Sequence, residues 1–180
     1  MCSRVPQTFP TSPRSVYETQ AMTWAHALSN QQSELTSAAL RHIADAEDLL
    51  RASPVQALYL AGYGPECARK AALARWTDRD EDLRNRAIGH RFDGPAEVAL
   101  QWFCDLDPLA PRYALLRWKV TYNVLGEWKE DVRYGRSDSI TVTKARRFLH
   151  AAQELTLGTI AKLWADGRVP PLDALTRVAP

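Results

Sequence analysis

Apolar residues recur every three to four positions over long stretches of this chain. No stretch alternates with the period of two that a half-buried strand requires. The first long helix is predicted over about 33–52, where Leu35, Ala38, Ala39, Ile43, Ala46, Leu49 and Leu50 fall on one side. Ser53-Pro54-Val55-Gln56 then reads as the start of a second helix. Ser53 suits the N-cap, Pro54 the first turn, and Gln56 completes a capping box. So short a connection predicts that the first two helices pack antiparallel.

The second helix is predicted to continue to about Trp76. From Val55 to Cys67 only Gln56 and Glu66 are strongly polar. A helix apolar almost all round belongs in the middle of a bundle. A carboxylate in such a place needs a partner, and Lys70 lies one turn later on the favourable Glu-before-Lys diagonal. Ala61, Gly62, Gly64, Ala68, Ala71 and Ala72 offer small surfaces on which neighbouring helices can approach closely. Pro65 removes an amide donor inside the helix, so a kink is predicted there.

The rest of the chain fits the same class. Pro6, Pro10 and Pro13 mark an extended N-terminal arm, with a short helix around Met22, Trp24 and Leu28. Residues 77–94 read as a polar exposed connection, followed by a short helix from Pro95 through Trp102 and Phe103. A proline-broken loop over 105–111 leads to a predicted helix over about 112–131, a loop over 135–139 and a last helix over about 141–165. The expected architecture is all-α, an up-and-down bundle of about five helices. It has an arm over 1–32, the bundle over 33–166 and a proline-containing tail over 167–180.

Composition narrows the chemistry. The 180 residues suffice for one domain with a buried core, and 46% hydrophobic with 24% charged residues is ordinary for a globular protein. A net charge of +2 provides no global field for nucleic acid, so any RNA contact must come from a local patch. Cys2, Cys67 and Cys104 have neither disulfide-framework nor zinc-site spacing and read as thiols in a reducing compartment. No apolar run reaches membrane-spanning length and the N-terminus lacks a secretory pattern, so a cytoplasmic location is expected. Neither a metal nor a cofactor is expected: no metal-ligand spacing stands out, and no Gly-Lys-Ser/Thr phosphate loop occurs.

Several short motifs occur in a specific order. His42-Ile-Ala-Asp-Ala-Glu-Asp-Leu-Leu50 lies in the first helix and Tyr59-Leu-Ala-Gly-Tyr-Gly-Pro-Glu-Cys-Ala-Arg-Lys70 in the second. Gly89-His90 follows in the connection, and Trp128, Glu130 and Arg133-Tyr134 precede the last helix. Over roughly 35–165 this order resembles the HEPN domain family. The resemblance implies an often dimeric helical bundle with an RNA-directed role. Many such proteins are metal-independent endoribonucleases, acting as toxins held by a cognate antitoxin or as antiviral defence effectors. Others are catalytically inactive modules that bind RNA, a nucleotide or a protein partner.

The nuclease branch of that family carries an Arg followed by a His after four to six residues. Here Arg84 and His90 have five between them and are the candidate catalytic pair. The histidine would move a proton at the ribose 2′-hydroxyl or the leaving oxygen, and the guanidinium would hold the phosphate. A dimer would supply two copies. Arg146 and His150 lie one turn apart on the last helix, where a solvated or capping role is expected.

A second constellation joins Glu66, Lys70, Arg133 and Tyr134, with Arg133 expected to reach Glu66. It reads either as a buried network that fixes the bundle or as a nucleotide- or RNA-binding pocket with Tyr134 as a stacking surface. Arg84, Arg86 and Arg91 in the connection, and Lys144, Arg146 and Arg147 at the start of the last helix, are candidate phosphate contacts.

Overall fold

A computed structural model describes residues 14–77, 107–114, 123–136 and 139–171, with side chains in the first helix from Asn30 onward. Among them are four α-helices and no strand: α1 Arg14–Leu49, α2 Pro54–Thr77, the single turn α3 Ala110–Tyr113 and α4 Val142–Ala165. Two short 3-10 helices, Asn123–Glu127 and Glu130–Tyr134, lie before α4. No helix among the described residues is long and apolar enough to cross a membrane.

The short link between α1 and α2 makes them a hairpin. The Ser53 amide donates to the Leu49 carbonyl at 2.8 Å, and Ser53 returns its own carbonyl to the Ala57 amide at 2.9 Å. Contacts then run in opposite senses along the two helices. Gln32 Nε2 donates to the Ala71 carbonyl at 2.9 Å, while Ile43 packs beside Gly64. Helix α4 covers another side of α2 and runs parallel to it, with Phe148 and Leu149 near Leu58 and Ala61, and Leu163 near Leu73. Thus α2 is the central helix, packed against both α1 and α4.

Small residues make that position tenable. Ala57, Ala61, Ala68, Ala71 and Ala72 are all wholly buried. A Cβ at Gly62 would lie 2.0 Å from Trp128 Nε1, and one at Gly64 would lie 2.6 Å from Ile43 Cδ1. At both places glycine is required by close approach of a neighbour. Helix α2 runs unbroken through the buried Pro65.

A polar lock holds the C-terminal end of α2. Arg69 Nη1 donates to the Tyr113 carbonyl at 2.6 Å, and Trp76 Nε1 donates to Asp107 at 3.2 Å. The chain leaves α4 through Gly167, whose φ of 66° is in the left-handed region where glycine carries no steric penalty. Arg168 then donates to the Ala72 carbonyl and lies over the rings of Trp76 and Tyr113. The Tyr113 hydroxyl donates to Asp166; burial, followed by that bond, pushes its pKa up to about 12.

Two sequence expectations are corrected. Helix α1 passes without interruption through position 32, where a new helix was expected to begin, because Ser-Asn-Gln-Gln-Ser over 29–33 is polar but contains no glycine or proline breaker. A continuous helix over about 112–131 is not formed. Ala114 is extended, with φ −64° and ψ 133°, and so is Lys129, with φ −142° and ψ 152°. Leu125 is therefore delivered to the core from 3-10 backbone and Trp128 from the residue that follows that turn, its amide donating to the Leu125 carbonyl at 3.1 Å. The last helix starts as expected, with Thr141 Oγ1 accepting from the Lys144 amide at 3.2 Å.

Gly62→Ala is expected to destabilise the fold by about 1–2 kcal/mol, since overpacking against a held indole outweighs the helix propensity gained by alanine. Urea denaturation measures this; an unchanged or higher midpoint would mean that the indole swings clear at no cost.

Candidate functional site

Tyr59, Tyr63, Glu66 and Lys70 follow one another at spacings of four, three and four residues, which places them on one face of α2. This stripe has polar tips on a helix whose other surfaces are packed. The two tyrosine hydroxyls meet at 2.8 Å and their rings pack edge to face, 5.1 Å between centroids. Tyr63 also meets the Trp128 ring at 5.3 Å, while Trp128 Nε1 donates to the Tyr59 carbonyl at 3.1 Å.

Glu66 is buried, and Lys70 Nζ lies 2.5 Å from its Oε1. The expected i,i+4 pair is therefore formed. Lys70 remains about a quarter exposed, so the pair reaches the surface at its cationic end. Beside Glu66, the Cys67 thiol is pushed up in pKa by burial first and then by the Glu66 carboxylate. It stays protonated at neutral pH and is a poor nucleophile.

His42, on α1, completes this face from the other side. Its ring tilts against Tyr63 at 5.4 Å, and its Nδ1 is buried without a hydrogen-bond partner among the described residues. Burial lowers its pKa below 6.5 and Arg41 adds to the effect; Asp45 and Glu66 oppose it. His42 is consequently held neutral in the fold near pH 7.

Arg133 and Tyr134, in the second 3-10 helix, stand at the edge of this face. The Arg133 guanidinium lies 4.6 Å over the Tyr134 ring centroid, and its hydrogen bond with Tyr59 raises its pKa. Tyr134 is 75% exposed. The expected Arg133–Glu66 contact is not made: Arg133 meets Tyr59 and Tyr134 instead, because Tyr59 is nearly two helical turns closer to the start of α2. Lys70 does meet Glu66.

Lys144, Arg146 and Arg147 are exposed on the first turns of α4, at the same end of the bundle as Arg133, along with Lys129 and Arg136. His150 is also exposed and lies 3.9 Å from Glu154; of the solvated and capping roles expected, its exposure fits the solvated one. Arg84 and His90, as well as Arg86 and Arg91, lie outside the described residues. Sequence reasoning missed Tyr59, Tyr63 and His42. The signal was the polar-tipped stripe at four, three and four residues, which stands out on an otherwise apolar helix.

Among the described residues no group of three or more His, Cys, Asp or Glu side chains is placed to hold a metal. No family model, curated protein or solved structure matches this chain.

Two outcomes follow. Glu66→Ala is expected to cost about 1–3 kcal/mol of stability, because it removes a buried hydrogen-bonded charge and strands Lys70. An unchanged melting temperature would mean that the pair is not structural. His42 supplies a pH dependence of known sign. Its native pKa is lowered, so below about pH 6.5 the unfolded chain binds a proton that the native state does not, and stability falls until native His42 also protonates. His42→Gln should flatten that part of the profile of melting temperature against pH; a profile with the wild-type slope would assign the dependence to other groups.

Proposed function

We propose that this chain is a HEPN-like helical protein with an RNA-directed role. The observation that supports it best is the pair formed by Tyr134 and Arg133. An aromatic ring three-quarters exposed on a turn packed against α2 offers a stacking face, and the guanidinium over its other side supplies a phosphate contact. Exposed Lys129, Arg136, Lys144, Arg146 and Arg147 surround that end of the bundle with cationic donors despite the near-neutral whole chain. Stacking with cationic backbone contacts suits a single strand, whose bases present free faces.

Two forms of the role are distinguished by chemistry. As a metal-independent endoribonuclease, the protein uses Arg84 and His90 as its catalytic pair. As a catalytically inactive module, it holds RNA at Tyr134 and Arg133 and leaves it intact. The geometry of Tyr134 and Arg133 favours the binding component common to both.

Labelled single-stranded RNA incubated with the protein in chelator tests this reading. Tyr134→Ala is expected to weaken binding by about 5- to 100-fold, corresponding to ~1–3 kcal/mol for a stacked base. Cleavage that persists in chelator and disappears in Arg84→Ala and His90→Ala, with folding intact, would assign the nuclease. Bound but uncut RNA would assign the module. Absence of both binding and cleavage would defeat the proposal.

A further inference from the structure

Tyr59 meets the segment around the second 3-10 helix in two ways that the structure keeps apart. Its backbone carbonyl accepts from Trp128 Nε1 at 3.1 Å, and this bond docks the residues that lead into that helix. Its side-chain hydroxyl lies 2.8 Å from the Tyr63 hydroxyl and is hydrogen-bonded to the Arg133 guanidinium. The first contact survives a change of side chain at position 59. The second does not.

The order of donors follows from the groups themselves. A guanidinium has donors only, so Arg133 donates and the Tyr59 oxygen accepts. A phenol oxygen that accepts from a cation makes its own proton a better donor, which favours Tyr59 donating onward to Tyr63. Tyr63 is itself packed against the His42 and Trp128 rings, at 5.4 and 5.3 Å between centroids. Arg133 is thus tied through two phenols to the packed face of α2, although its own side chain is exposed. An exposed arginine ordinarily samples many rotamers, and fixing it on a ligand costs affinity. Here the ordering is done beforehand: the guanidinium already stands 4.6 Å over the Tyr134 ring centroid.

We infer that the Tyr59 hydroxyl is a positioning group for the RNA site: it fixes Arg133 over one face of Tyr134 before RNA arrives and leaves the other face open for a base. The inference rests on the RNA-directed reading for the ligand, but not for the hold on Arg133. Tyr59 acts through Arg133 and need not touch RNA.

Tyr59→Phe removes the hydroxyl. It keeps the ring, the edge-to-face packing on Tyr63 and the carbonyl that holds Trp128. In the RNA-free protein, the Arg133 Nε–H resonance, assigned by its loss in Arg133→Gln, is expected to be sharp in the wild type and broadened by exchange in Tyr59→Phe. Equal signals would overturn the inference. With single-stranded RNA, Tyr59→Phe is expected to weaken binding about 2- to 12-fold, the cost of ordering one long side chain. In an Arg133→Gln background the same substitution should change nothing. A merely structural role would weaken binding equally in both backgrounds, and that result would overturn the inference. So would a Tyr59→Phe protein that binds as the wild type does, with the RNA-directed reading left standing. A wild type that binds no RNA would instead defeat that reading, and the positioning role with it.

Discussion

The indole of Trp128 occupies the volume that a side chain at position 62 would need, and much of the remaining architecture depends on that contact. It is held by a hydrogen bond to the Tyr59 carbonyl and by the edge of Tyr63, so its position is fixed by α2 itself. Once Trp128 is seated, the second 3-10 helix begins two residues later and can only lie against the start of α2. Arg133 and Tyr134 are thereby presented beside Tyr59. A single missing Cβ thus carries information from the middle of the bundle to its most exposed aromatic ring.

The opposite end of the bundle is organised on another basis. There, α2 is fastened by charged and aromatic groups: Asp107 receives Trp76, Asp166 receives Tyr113, and Arg168 lies across both rings. Close packing around the Trp128 indole and its hydrogen bond to Tyr59 set the first end, charged side chains and their hydrogen bonds the second. The first tolerates little change in shape, the second little change in polarity.

The parts legible in the sequence were those with local causes. Ser53-Pro54 and Thr141 mark helix starts, both α2 and α4 begin beside them, and the Thr141 hydroxyl caps α4. The Glu66–Lys70 pair followed from helical spacing alone. The parts that were not legible had causes distant in sequence. The end of α3 at Ala114 has no glycine or proline to announce it, and Trp128 reaches the core from outside any helix although its neighbours have helical periodicity. Opposite charge points Arg133 to Glu66 if the Arg-Tyr turn folds over α2, but the level along α2 at which the turn docks decides its partner, Tyr59. The tyrosine stripe was available in the sequence and was obscured by the apolar residues between its members.

The parallel pairing of α2 with α4 has a consequence for how the molecule assembles. The α1–α2 hairpin closes through a link of a few residues, so its ordering entropy is small and it can form as soon as both helices exist. Helix α4 must wait: Arg168 meets Ala72 across 96 residues, and Trp128 meets Tyr59 across 69. During synthesis, the hairpin therefore presents an uncovered alanine- and glycine-lined face of α2 until the last quarter of the chain arrives. That interval is when the protein is most exposed to misassociation, and a small-residue face is well suited to it, because it leaves less apolar area in water than leucine or phenylalanine would.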